Sequence, residues 1–415
     1  MKQEFIVIRT KETAVKIQNS QINAVRLKDI VKKGVRVYEN GKIGIAGAIG
    51  DIAEGALLEN AVQNLTAGIG YPYPLSTENT EHRCYNDKPM TAEDLLALSE
   101  SVLDTLRQEY SDFSFSETIA AAEIVQQMRN TEGLDLEYKD ALFSIGLILK
   151  DKKSANLFDG FIVCEGRQFD PVQFWNITRP MLEAYRTPVA LPVGETLPIL
   201  AFDNSGTLGF LSNSLNGERY ATGSSLFSAK MGKQLFNEKI NLELNRNPKF
   251  GPAAFFDMEG VVLKDDCHPL IEAGKLVNVY TDKNTAHLYN LPHTGAAAGE
   301  YDDMPGLAAA RNAPIPLRFK TDSTDLKAAL KGQPAILVVV SSGGDFTPDG
   351  SFAAPVQVSF LFDGERILGK LPEFTMRSHL YKMLGEDYIG TFDNNAFYLG
   401  DLPTQLQSCY MTIMR

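Results

Sequence analysis

Histidine, cysteine and tryptophan are scarce in this chain: five, four and one among 415 residues. The histidines (His82, His268, His287, His293 and His379) form no H-E-x-x-H. No two lie where a helix would bring them onto one face around zinc. His287 and His293 flank Leu291-Pro292, which breaks a helix between them. The cysteines (Cys84, Cys164, Cys267 and Cys409) are far apart and form no C-x-x-C, which excludes a zinc knuckle or a disulfide framework and reads as reduced thiols in a cytoplasmic protein. Basic residues are outnumbered, 40 against 52 acidic, for a net charge of −12. A nucleic-acid or anionic-membrane binder gathers Lys and Arg, so neither class is expected. No apolar run approaches the ~20 residues that span a bilayer. The opening Met1-Lys2-Gln3-Glu4-Phe5 has no basic segment leading into an apolar one, so no signal peptide is expected.

Several catalytic signatures are missing as well. No serine stands in G-x-S-x-G, and no G-x-G-x-x-G occurs. The segment from Gly364 to Lys370 fits most of a P-loop, but Leu371 stands where Mg²⁺ needs a hydroxyl. Its Asp363-Gly364 start reads instead as a hairpin turn. Ser341-Ser342 before Gly343-Gly344 reads as a turn after a buried strand.

What is present is an ordinary globular composition, 44% hydrophobic and 22% charged, long enough for two domains. Residues 5–8, 14–17, 22–27, 34–38 and 43–46 are β-branched-rich and separated by polar turns, predicting a strand meander. Asn40-Gly41 predicts a tight hairpin, because a type I′ turn needs positive φ at both central residues. Asp51 is expected to cap a helix with Glu54 as its partner. A Gly-, Pro- and Tyr-rich loop (68–74) and a polar stretch (77–89) lead to a second helix from Thr91, with Leu95, Leu98, Val102 and Leu106 on one stripe. Strands at 119–127 and 141–149 around Glu132-Gly133, then a helix over 171–184, complete an α+β part. Pro188, Pro192 and Pro198 mark a boundary, giving an N-terminal α+β domain (1–186) and a C-terminal domain (187–415). Beyond it, short strands at 240–244, 253–256, 277–280, 335–340, 356–362 and 366–370 predict a mostly antiparallel, barrel-like β domain.

Five stretches together resemble the TldD/PmbA family, once called modulators of DNA gyrase. They are Gly34-Val-Arg-Val-Tyr-Glu-Asn-Gly-Lys-Ile-Gly-Ile-Ala46; Asn130-Thr-Glu-Gly133; Phe256-Asp-Met-Glu-Gly-Val261 followed by Pro269-Leu-Ile-Glu-Ala-Gly-Lys-Leu276; Leu291-Pro-His-Thr-Gly295; and Gly390-Thr-Phe-Asp-Asn394. They run in the family's order across nearly the whole chain. The TldD branch carries H-E-x-x-x-H shortly before a "G-T-S-x-F-S" segment, with a cysteine near the C-terminus as third metal ligand. Gly223-Ser-Ser-Leu-Phe-Ser228 resembles that segment, which puts Leu208, Gly209 and Asn213 at the His, Glu and His positions. Asp393-Asn-Asn-Ala-Phe-Tyr-Leu-Gly400 puts Leu399 at the cysteine.

Zinc takes imidazole, thiolate or carboxylate donors. Leucine has none, an asparagine amide is a poor ligand, and Gly209 cannot act as a general base. The resemblance therefore implies the branch without a metal site. It also implies no cofactor in this chain, zinc only in a TldD-like partner, and a binding or scaffolding role toward peptides, with a homodimer as the other possible assembly. Ser224, Ser225, His268, His293, Thr294 and Gly295 are the candidates to line a substrate groove. Two alternatives stand beside this reading. One is a metallopeptidase using unmatched ligands among Asp265, Asp266, Cys267, His268 and His293, although neighbours on a strand point to opposite faces. The other is a non-proteolytic regulator, such as a gyrase modulator.

Overall fold

The computed structural model describes residues 1–202, 206–307, 315–393 and 400–415. Its first half is built on two unusually long strands, β1 (Lys2–Gln18) and β2 (Gln21–Glu39), paired antiparallel along their length. Four of the expected short strands merge into these two. The polar stretches between them stay in the ladder, helped by cross-strand pairs such as Arg9 with Asp29 at 2.7 and 2.9 Å. Asn19 and Ser20 turn the chain with φ of 50° and 62°, and Asn40-Gly41 does so with 51° and 71° as its sequence predicts.

After β3 (Lys42–Ile49), helix α1 (Glu54–Asn64) packs Leu57 and Ala61 inward. Asp51 does not cap it: Ala53 holds that position without a side-chain bond, and Asp51 pairs with Lys33 at 2.7 Å. The polar stretch that follows contains a strand, β4 (Asn79–Cys84), which polarity concealed. Helix α2 (Ala92–Glu109) starts at Thr91, whose side chain accepts from the Asp94 N–H. Then come β5 (Phe113–Asn130), β6 (Leu134–Asp151), β7 (Gly160–Gly166) and α3 (Pro171–Tyr185). The sheet runs β3-β2-β1-β5-β6, with β4 parallel and β7 antiparallel to successive parts of β6.

The second half contains β8 (Thr196–Phe202), α4 (Gly206–Leu215), α5 (Gly217–Ala221), β9 (Leu242–Asn245), β10 (Cys267–Glu272), β11 (Lys275–Leu276) and α6 (Lys283–Tyr289). There follow β12 (Ala297–Ala298), β13 (Gly306–Leu307), β14 (Leu317–Phe319), α7 (Leu326–Leu330), β15 (Ala335–Ser341), β16 (Asp345–Phe346), β17 (Ser351–Phe362) and β18 (Ile367–Lys370). The chain finishes with β19 (Phe374–His379), α8 (Leu380–Met383), β20 (Tyr388–Asp393) and β21 (Gln405–Met414). The pairings β15-β8-β21-β19-β17 return to β15, closing a five-stranded barrel. Four of its contacts are antiparallel, and β8 with β15 is parallel. Of the expected strands, 253–256 and 277–280 form single bridges only, Phe256 with Val262 and Tyr280 with Asn216.

Barrel strands are buried on both faces. Ile199, Val338, Met376 and Met411 fill one core, while Leu200, Leu337, Phe360 and Leu406 join α2 and α3 in another. That double burial explains why Ala335 to Val340 reads as a continuous apolar run. A third cluster joins the halves: Ile6, Met128, Leu136 and Tyr138 of the long sheet meet Phe255, Phe256, Met258 and Tyr301. Gly34 lets the chain in, since a Cβ there would stand 1.9 Å from the Tyr301 carbonyl oxygen. Among the described residues no helix is long and apolar enough to cross a membrane.

Candidate functional site

Phe256-Asp-Met-Glu-Gly-Val261 folds into a tight turn at that junction. Asp257 Oδ1 accepts from the N–H groups of Glu259 and Val261, each at 2.9 Å, and Oδ2 accepts from Ala297 N–H at 2.9 Å. Gly260 takes φ of 68°, a left-handed conformation that glycine adopts without strain. The turn points the Glu259 side chain inward with no exposure. There Oε1 accepts from Tyr71 Oη at 2.6 Å, Oε2 accepts from Lys283 N–H at 3.0 Å, and His293 Nε2 lies 3.6 Å away. Burial raises the pKa of both carboxyls and dominates at Asp257. At Glu259 the neighbouring His293, Tyr71 and Lys283 together outweigh burial and hold it below the usual carboxylate range.

A second buried group adjoins the first. Arg36, fully buried, donates to Glu4 at 3.2 Å, to Met258 O at 2.6 Å and to Asp303 O at 3.2 Å. Tyr38 donates to the same Glu4 oxygen at 2.9 Å, and its ring lies 5.3 Å from that of Tyr71. The polar core thus ties the long sheet to the second half of the chain.

Among the described residues, Asp257, Glu259 and His293 are a group spaced to hold a metal ion, with donor atoms within 4.8 Å of one another. Each of the four carboxylate oxygens also accepts a hydrogen bond from the protein, so the two carboxylates are held in place without an ion. We read the cluster as a structural junction. No histidine or cysteine spacing signals it; the signature contains Asp257 and Glu259, but gives no hint that Glu259 faces Tyr71.

The expected site residues fall into two places. His293 reaches this cluster, and His268 on β10 feels its charge. Burial, reinforced by His293, lowers the His268 pKa, and its Nε2 has no hydrogen-bond partner. Thr294 is buried, donates to Thr281 O and accepts from Thr281 N–H, so it supports the turn and does not line a groove. Gly295, also buried, has φ of 63° and packs on Val261 and Leu263. Leu208, Gly209 and Asn213 lie elsewhere, on α4. Leu208 packs on the core, Gly209 is exposed, and exposed Asn213 donates back to Gly209 O at 3.2 Å. Ser225 donates to Ser214 O on the same helix, and Ser224 to Arg219 O at 3.3 Å. Leu399 lies outside the described residues. Of the other proposed ligands, Asp266 pairs with Arg83 at 2.7 Å, and Asp265 sits in a turn with φ of 56°.

Residues 201–413 match the sequence profile of the PmbA/TldA metallopeptidase C-terminal domain. No curated protein matches the sequence. Among solved structures, TldE from Thermococcus kodakarensis superposes with a TM-score of 0.79 at 16% identity, over 99% of this chain and 96% of that one. A proposed modulator of a DNA gyrase from Thermotoga maritima gives 0.73 at 15%, over 99% and 96%. Another, from Bacteroides thetaiotaomicron, gives 0.75 at 12%, over 99% and 95%. At these identities the structures speak for the fold, and the profile match speaks for ancestry. The chain belongs to the TldD/PmbA family.

Proposed function

We propose that this chain is a non-catalytic, substrate-binding and scaffolding subunit of a TldD/TldE-like metallopeptidase that acts on peptides or unfolded segments. The observation that carries the reading is helix α4, whose ten residues GTLGFLSNSL include no imidazole, thiolate or carboxylate. The family name implies a metal, and this donor set does not fit one. Asp257, Glu259 and His293 offer donors, but internal hydrogen bonds already hold the carboxylates in place without an ion. On this reading zinc belongs to a TldD-like partner, and this chain helps to shape the path of an extended peptide.

The test compares peptidase activity of this chain, of a TldD-like chain, and of their mixture. The mixture is expected to exceed the TldD-like chain alone by tenfold or more; equal rates would end the scaffolding reading. A second reading, a metallopeptidase built on Asp257, Glu259 and His293, rests on their spacing. Stoichiometric zinc in the purified chain, lost together with activity in Glu259→Gln, would favour it.

A further inference from the structure

Several arginines that are buried or half-buried among the described residues are paired with carboxylates. Arg36 reaches Glu4, Arg83 reaches Glu81 and Asp266, and Arg167 forks onto Asp140 at 2.6 and 2.8 Å. Arg246, next to the end of β9, is only 8% exposed, and no carboxylate among the described residues lies within ion-pair distance of it. Its side chain donates to Phe256 O at 3.3 Å, and its Nε has no partner. Asp257 is the acid whose field it feels, but that carboxylate is already held by three backbone N–H groups. A buried guanidinium so poorly matched is costly unless something else supplies the negative charge.

Space for that charge adjoins it. Arg246 lines a cavity of about 540 Å³ at the junction of the two halves, with Gln126 of β5 on one side and Ala297 and Leu317 among the walls on the other. Phe250 and Ile315 add apolar surface, and the volume falls in the range of ordinary ligand sites. Arg318, also in the lining, is engaged with the Phe250 ring and with Pro403 O. A buried cation beside apolar surface, with Gln126, Asn245, Asn247 and the already hydrogen-bonded Asp257 also in the lining, suits the carboxylate of a residue with a small apolar side chain.

We propose that this cavity is a carboxylate-binding subsite, in which Arg246 receives the C-terminal carboxylate of a bound peptide. This deepens the scaffolding reading and rests on it for the identity of the ligand as a peptide.

The probe is fluorescein-labelled tetra-alanine, as the free acid and as the C-terminal amide, titrated with the full chain at low ionic strength and pH 7 by fluorescence anisotropy. The free acid is expected to bind at least tenfold more tightly than the amide. In Arg246→Met that ratio should fall to about one, and Arg246→Lys should keep part of it. Gln126→Glu, which adds a negative charge to the cavity wall without touching the arginine, should weaken the acid and spare the amide. Equal binding of acid and amide by the unaltered chain, or an undiminished ratio in both Arg246→Met and Gln126→Glu, would overturn the proposal. Displacement of the peptide by inorganic phosphate at far lower concentration than by acetate would assign the site to a different oxyanion. Loss of acid preference with intact stimulation of a TldD-like chain would sink the subsite alone. Failure of stimulation with intact acid preference would sink the scaffolding reading alone.

Discussion

Replacing Arg36 by methionine removes the cation that joins Glu4 to the carbonyls of Met258 and Asp303. Both charged side chains are essentially unexposed, at 0% and 1%, so solvent cannot take over either role. Breaking a buried pair from one side costs about 3–5 kcal/mol, because the abandoned charge stays in a poor medium. Tyr38 still donates to Glu4, which keeps the expected loss for Arg36→Met near the lower end. Glu4→Gln leaves Arg36 charged, with two carbonyls and an amide oxygen for partners, and should cost about 2–3 kcal/mol. In the double variant no charge is stranded, so its loss should fall short of the summed singles by about 2 kcal/mol. Equilibrium urea unfolding of the four proteins, followed by far-ultraviolet circular dichroism, measures this coupling. Strictly additive losses would mean that the pair does not act as a unit, and the account of the junction would fail.

Tyr71→Phe should destabilise by about 1.5–3 kcal/mol at pH 7, since it removes a donor to a buried carboxylate. Glu259 titrates below its ordinary 4.5 in the fold, so its contribution is present above that pH and is lost as pH falls through the folded value. The gap between Tyr71→Phe and the unaltered protein should therefore narrow on acidification, and urea midpoints taken in steps from pH 7 downward through the acid range check it. Gly34→Ala should cost about 1–3 kcal/mol, read from Tm, and should quicken limited proteolysis near Tyr301, because backbone stands where the new methyl would go. Asn213→Ala should leave stability unchanged or improved by up to about 0.5 kcal/mol, since alanine is the better helix former and the amide contacts only its own helix. A large loss in thermal melts would mean that Asn213 has a role the helix does not reveal.

Much of the architecture is legible in residue patterns. The Asn40-Gly41 hairpin, the Thr91 cap of α2 and the apolar run of β15 each follow from local chemistry. What misleads is polarity inside long strands. Arg9 to Thr13 and Lys28 to Lys33 read as turns, but the backbone ladder carries them through as strand. Strand β4 is equally hidden, because a polar edge strand gives no hydrophobic alternation. At the site, α4 shows its lack of donors in the sequence itself. The gathering of Tyr71, Glu259, Lys283 and His293 does not, because it depends on contacts between residues far apart in the chain. Arg246 is least visible of all: an arginine in a sequence says nothing about whether an acid will meet it.

The seam of the barrel has a consequence for how the molecule assembles. Strand β8 leaves the first half early, yet its two neighbours, β15 and β21, are synthesised long afterwards. Until they arrive, β8 exposes both hydrogen-bonding edges and an apolar face, which makes it the segment of a nascent chain most open to wrong partners. The ring closes only when the last stave slides between β8 and β19, so folding of the second half waits for nearly all of it to be made.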